Sequence, residues 1–341
     1  MSRRQLLVVV LFITVLIILW FSELLLYGIR QGIGQGRIVW NARPVTEVLA
    51  DPATPDSIGE KLRFIGKVRQ YAIEQLGLND TENYTTYFDQ QGKELMWVVT
   101  ASPPFGMEEY LWDFPVVGKV PYKGFFREDL AVDEANRLRA DSMDVNIRNP
   151  GGWSTLGWFR DPILSGMLSR DPGDLASLII HEMAHATIFI PDQVNFNENL
   201  ASFIGDEGAR LFLTETEGPA SPLLLAFEKN DLEYRRWSSH MVRGADVLDS
   251  LYRATEAFSD DRKRVLKKEA IGHIVLAMDT LYADSTRRPS LMYSRKLPNN
   301  ATFMAYRRYF AMQTDFGTAY RGQFGGDIRK MVVYYKLNHP R

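Results

Sequence analysis

The stretch LASLIIHEMAHATIFI, residues 175–190, decides which fold we expect for this chain of 341 residues. Asp174 can cap the start of a helix and Pro191 cannot continue one, so the stretch reads as a single helix. His181 and His185 are four residues apart, and their imidazoles therefore project from the same helical face. Two imidazoles about 6 Å apart on one face can bind one metal ion. The stretch therefore predicts a metal-binding helix.

Two glutamates complete the predicted site. Glu182 follows the first histidine, and a carboxylate there can accept a proton from water at the metal without binding the metal itself. Glu198 falls in the first turn of a second amphipathic helix, predicted over residues 196–212, and the short connection brings that turn beside His185. A catalytic zinc site needs three protein ligands and an open position. We therefore predict one Zn2+ per chain, with Glu182 as the catalytic base. The predicted metal ligands are His181, His185 and Glu198.

Other polar side chains are candidates for supporting roles at this site. Ser202 lies one turn after Glu198 and can hydrogen-bond a metal ligand, whereas Asp206 lies about 12 Å along the helix axis and cannot reach the ion. A Tyr or His donor for the oxyanion of the reaction is also expected. The sequence offers three residues for that role, each of which also fits ordinary packing: Tyr293, Tyr306 and His240.

Composition limits the class of protein. The net charge is −2 and the pI is near 6.3, which argues against nucleic acid as a partner because phosphate binding relies on a basic excess. The basic run from Arg262 to Lys268 follows two aspartates on a helical pattern, and we interpret it as a solvated face rather than a binding patch. There is no cysteine, which excludes thiol catalysis, cysteine metal ligands and disulfides.

The N-terminus carries a membrane signal. Arg3 and Arg4 precede an apolar run from Leu6 to Phe21, which as a helix would span about 24 Å and can be extended through Leu24 to Ile29. No small-residue cleavage site follows, so a retained signal anchor is favoured over a cleaved signal peptide. The arginines predict a single-pass protein of the cell membrane whose catalytic domain lies on the extracytoplasmic, periplasmic side. Residues 32–36 read as a flexible juxtamembrane linker.

The rest of the chain predicts an α+β fold. Residues 1–36 form the predicted anchor and linker, and residues 37–341 one domain with two lobes. Residues 44–160 read as a mixed α/β lobe with a small antiparallel sheet, and residues 161–341 as a mainly helical lobe that carries the HExxH helix. The predicted elements are helices over 57–76, 128–139, 222–255, 262–282 and 301–312, a β-hairpin formed by 84–88 and 95–100, further strand between 114 and 126, and a strand at 145–147.

Five motifs carry a resemblance: FPVVG at 114–118, STLGWFRDP at 154–162, HEMAHAT at 181–187, FNENLA at 196–201 followed by Phe203, Gly205, Gly208 and Ala209, and NNA at 299–301. Together they resemble a bacterial family of predicted aminopeptidases, gluzincin-like HExxH zinc peptidases with a glutamate as third ligand. The resemblance covers nearly everything after the N-terminal segment. It implies a zincin-like fold, the same ligands and the same catalytic glutamate. Many relatives end their signal in a cysteine; this chain has none, so lipid attachment is excluded.

We therefore predict a membrane-anchored zinc metallopeptidase that acts on peptides, with aminopeptidase action implied by the resemblance. Endopeptidase action by the same mechanism stays open, as does a binding protein in which the metal only joins two helices. The sequence does not indicate the oligomeric state. The glycine-rich segment from Gly151 to Phe159 can serve as an edge strand that holds substrate, or it can simply cover the core.

Overall fold

Helices dominate the structure, a computed structural model that describes residues 5, 22–114, 118–152, 160–282 and 288–339. The α-helices are α1 (Ser22–Asn41), α2 (Val45–Ala50), α3 (Asp56–Glu74), α4 (Glu128–Ala140), α5 (Pro172–Thr187), α6 (Val194–Glu217), α7 (Pro222–Ala254), α8 (Asp260–Ala277), α9 (Asn300–Phe310), α10 (Gln313–Gly322) and α11 (Ile328–Asn338). Short 3-10 helices cover Ser165–Ser169, Met278–Thr280 and Pro289–Tyr293.

The strands are short and, within the described residues, form three small sheets. They are β1 (Arg43–Pro44), β2 (Thr86–Phe88), β3 (Trp97–Ser102), β4 (Trp112–Phe114), β5 (Gly118–Val120), β6 (Lys123–Phe125), β7 (Asp144–Arg148) and β8 (Ile163–Leu164). Their orders are β1-β2-β8, β6-β3-β7 and β4-β5. In the second sheet both β6 and β7 pair antiparallel with β3, so β7 is an edge strand among the described residues.

Helices α5 and α6 lie at the centre of the fold, antiparallel and in close contact. Two glycines of α6 permit the approach. A Cβ atom at Gly205 would lie 2.8 Å from the carbonyl oxygen of Ser177 and 3.1 Å from Cβ of His181, so no larger residue fits without separating the helices. The largest hydrophobic cluster surrounds this pair and fixes it in place. Its members include Ile65, Val68, Ile179, Ile180, Phe203, Phe212, Phe316 and Met331.

The sheet β6-β3-β7 is covered by α4, whose small buried residues Ala131 and Ala135 pack against it. Helix α9 lies against β7 and is capped by Asn299, whose side chain accepts a hydrogen bond from the N–H of Thr302. The amide of Asn299 also donates to the carbonyl of Val145 in β7 at 3.0 Å. These contacts attach α9 to the edge strand.

The predicted fold class was wrong. Helical residues make up 64% of the structure and the sheets are small, so the fold is mainly helical rather than the predicted α+β fold with a mixed α/β lobe. The predicted β-hairpin was wrong for a related reason: β2 pairs with β1 and β8, both distant in sequence, while β3 belongs to another sheet. An alternating pattern identifies a strand but does not identify its partner.

The N-terminal membrane helix in the predicted fold class is likewise not supported. The run from Leu6 to Phe21 lies outside the described residues, and within those residues we find no helix long and apolar enough to cross a bilayer. Residues 32–36, predicted as a flexible linker, lie inside α1. Gly34 allows the ring of Phe126 to lie against the helix backbone, because a Cβ atom there would overlap the ring. The glycine thus serves helix packing, which its sequence context did not indicate.

Candidate metal centre

Three of the side chains singled out in the sequence meet between α5 and α6. The Nε2 atoms of His181 and His185 lie 3.1 Å apart, and Oε2 of Glu198 lies 3.5 Å from the first and 3.3 Å from the second. In a tetrahedral zinc site with bonds of about 2.0–2.1 Å, the ligand atoms lie about 3.3 Å apart. The three donor atoms therefore have the spacing that one tetrahedral ion requires. Among the described residues, this is the group of His and acidic side chains that could hold a metal ion.

Antiparallel packing of the two helices creates a ladder of polar pairs that includes the candidate ligands. Glu198 faces His185, Ser202 Oγ lies 3.4 Å from Nδ1 of His181, and one turn further Ser177 Oγ donates to Asp206 at 2.7 Å. Residues four apart on each helix share one face, so successive turns meet in register. Ser202 thereby contacts the ring nitrogen of His181 that does not face the metal position, as predicted. Asp206 lies two turns from Glu198 and is not part of the candidate group.

The electrostatics of the centre favour an ionised Glu198. Burial raises the pKa of this carboxyl, but the charges and hydrogen bonds of His185 and His181 lower it by more, and the pKa lies well below its usual range. An ionised carboxylate between two imidazole nitrogens is a donor set typical of catalytic zinc. The residues present therefore fit a zinc ion.

Glu182 is buried on the adjoining face of α5, with 8% of its surface exposed. Gly152, just after β7, lies directly against it: a Cβ atom at this position would overlap Oε1 of Glu182 and lie 2.8 Å from Cδ1 of Leu178. The glycine-rich segment, for which the sequence leaves a substrate edge and a cover for the core both open, thus begins beside the catalytic candidate. Its remainder, residues 153–159, lies outside the described residues.

Arg148 and Tyr309 flank the centre on the side of β7 and α9, and the sequence did not single them out. Nη2 of Arg148 donates to Oη of Tyr309 at 3.0 Å, and the ring centroid of Tyr309 lies 6.5 Å from that of His181. Burial, and then the charge of Glu198, raise the pKa of Tyr309 above its usual value. Arg148 makes no ion pair within the described ranges; burial lowers its pKa, but Tyr309 and the charge of Glu198 raise the pKa by more. No local pattern marks either residue, because tertiary packing brings them together.

Asn199, next to a candidate ligand, holds α9 at the centre. Its buried amide donates to the carbonyls of Asn195 at 2.8 Å and Arg308 at 2.6 Å, and its oxygen accepts from the N–H of Met312 at 2.9 Å. One side chain therefore fixes the C-terminal end of α9 against the first turns of α6. This contact determines where Tyr309 lies relative to Glu198.

The three residues considered from sequence as oxyanion donors lie elsewhere: Tyr293 and Tyr306 pack against the hydrophobic cluster that contains Trp237, and His240 contacts Ile274 of that cluster. Tyr306 accepts a hydrogen bond from Nε1 of Trp237 at 2.9 Å, and the ring of Tyr293 stacks on the same indole at 6.5 Å. Nε2 of His240 lies 2.8 Å from the carbonyl oxygen of Ile274. Their contacts are those of residues that pack the interior, which is the alternative role that the sequence also allowed for each of them.

Comparisons with known proteins identify a family for this chain. A search of curated proteins and a search of solved structures each returned no match. A family model with the description "Putative aminopeptidase" matches residues 26–336, which is most of the chain and includes every residue of the centre. That description indicates a peptidase. The chain belongs to the family described as "Putative aminopeptidase".

Proposed function

We propose that this protein is a zinc-dependent peptidase in which His181, His185 and Glu198 bind the metal. The observation that carries the proposal is the triangle of donor atoms with sides of 3.1, 3.3 and 3.5 Å. Three protein ligands leave a coordination position open, whereas structural zinc sites usually fill all four positions with protein ligands. Membership of the peptidase-like family supports the same conclusion from independent information.

Glu182 acts as the general base and then as the general acid. A zinc ion bound at the three ligands would lower the pKa of a coordinated water to about 7 and polarise a substrate carbonyl. Glu182 takes a proton from the attacking water as its oxygen bonds to the carbonyl carbon. It returns that proton to the amide nitrogen as the C–N bond breaks, so that a carboxylic acid and an amine leave.

Tyr309 donates a hydrogen bond to the oxyanion that develops on the substrate. Its oxygen accepts from Arg148, which leaves its own proton for another acceptor, and its ring lies 6.5 Å from that of His181. The positive charge of Arg148 adds to the stabilisation of negative charge in a partly buried site. Removal of one such donor typically lowers kcat by about 10²–10³-fold.

The family description favours aminopeptidase action, and endopeptidase action by the same chemistry is the alternative. One peptide offered with a free and with an acetylated amino terminus separates the two. Aminopeptidase action predicts cleavage of the free peptide alone, whereas equal rates would establish the alternative.

Metal analysis of the full chain tests the proposal itself. We expect about one zinc per chain, lost in the variant His185→Ala and retained in the control His273→Ala, which changes an exposed histidine of α8. A wild-type protein that hydrolyses peptides after complete removal of zinc would contradict the proposal.

A further inference from the structure

A basic cavity of about 490 Å3 lies apart from the metal centre, between the end of α4, the start of β7 and α8. Four cationic side chains and one carboxylate line it. The cations are Arg139, Arg264, Lys267 and Lys268, and the carboxylate is Asp144. They come from two segments more than one hundred residues apart in sequence, so the fold and not a local charge run brings them together.

The protein neutralises only part of the positive charge of this cavity. Oδ2 of Asp144 already accepts from Nζ of Lys267 at 2.6 Å and from the backbone N–H of Asn300 at 2.8 Å. Arg264 contacts Asp261 at 3.3 Å, but that carboxylate is 98% exposed and such a pair is weak. Lys268 has no hydrogen bond or ion pair in the part of the chain that the structure describes. The lining therefore keeps an excess of three positive charges over negative ones.

The same cavity has an apolar floor. Phe105 lies in it, with Nζ of Lys263 at 5.6 Å, Cζ of Arg264 at 5.9 Å and Nζ of Lys267 at 6.0 Å from the ring centroid. The ring attracts the cations, which in turn repel one another at close range. Ile271 and Leu297 extend the apolar surface. A ligand with an anionic group and an apolar body would complement both parts.

We propose that this cavity binds a small organic phosphate monoester. A phosphate monoester carries about −1.5 to −2 charges near neutral pH, which matches the cationic excess better than a carboxylate does. The volume falls within the roughly 300–1,000 Å3 of small-molecule sites. One side of the basic run Arg262–Lys268, which sequence alone indicates to be a solvated face, thereby contributes to a binding site. The proposal does not rest on the peptidase function.

Calorimetric titration of the full chain with phenyl phosphate tests this site. We expect saturable binding to one site, at least about tenfold tighter than that of inorganic phosphate, which lacks the ring, or of benzoate, which lacks the second charge. The double variant Arg264→Gln/Lys268→Gln should bind at least about tenfold more weakly. The control Lys229→Gln/Arg236→Gln makes the same charge change on exposed positions of α7 and should bind like the wild type.

Three results would overturn the proposal: no saturable binding, equal affinity for either comparison anion, or binding that the double variant leaves unchanged. The last would locate the anion elsewhere, including at the metal centre. Both substituted side chains are exposed on a helix, so folding should persist; if the double variant does not fold, Lys268→Gln alone must still weaken binding. Peptide hydrolysis by the double variant should equal that of the wild type, which separates this test from that of the peptidase.

Discussion

The contact between Gly152 and Glu182 gives a sharp prediction, because one methyl group added outside the ligand set should lower activity by about 10²-fold. In Gly152→Ala the new Cβ atom would overlap Oε1 of Glu182 and lie 2.8 Å from Cδ1 of Leu178. The end of the Glu182 side chain is the part that can move most easily. To restore an ordinary contact it must shift by about 1 Å, and a misplacement of that size can cost about 10²-fold in rate.

The assay compares kcat for peptide hydrolysis with zinc content. We expect Gly152→Ala to keep its zinc, since the three ligands are untouched, and to lose about 10²-fold in kcat. Gly66→Ala is the matched control, because a Cβ atom there would meet nothing within 4 Å. A Gly152→Ala enzyme with the kcat of the wild type would refute the assignment of Glu182 as the base held at this contact.

Three further predictions concern stability, pH and the oxyanion. Gly205→Ala should lower the free energy of unfolding by about 1–3 kcal/mol in urea, because its Cβ atom would meet the backbone of α5, whereas Gly272→Ala has open space and should not. Burial, and then the charge of Asp231, raise the pKa of Asp206 to about 6. The native state therefore holds this proton more tightly than the unfolded state. As the pH rises from about 4 to about 6, the free energy of unfolding should therefore fall by at most about 3 kcal/mol. Urea titrations of Asp206→Asn should lack that fall. Tyr309→Phe should lower kcat about 10²–10³-fold with little change in KM, while Tyr306→Phe should change neither; equal kcat values for the two variants would exclude Tyr309 as the donor.

The meeting of the candidate ligands could be predicted from sequence because it depends on local geometry. Four-residue spacing puts His181 and His185 on one face, and a short connection places Glu198 opposite them. The same periodicity brings Ser202 to His181. Helix periodicity was thus enough to predict which residues form the centre and in which order they lie along the two helices.

Tertiary packing determined what the sequence did not reveal. Arg148 and Tyr309 are 161 residues apart and meet only because Asn299 and Asn199 attach α9 to β7 and to α6. Gly34 was interpreted as part of a linker, although its role is to let Phe126 pack against α1. For each of these residues the partner that gives it a role is distant in sequence, so the residue type alone did not indicate the role. The small sheets were misjudged for the same reason.

The most direct test of the central claim measures both the zinc content and the rate of peptide hydrolysis of the variant Glu182→Gln. The variant keeps all three ligands and nearly the same side-chain shape, so it should retain about one zinc per chain. Without a proton acceptor, kcat should fall by about 10²–10⁴-fold. A Glu182→Gln protein that retains zinc and hydrolyses peptide at the wild-type rate would contradict the mechanism.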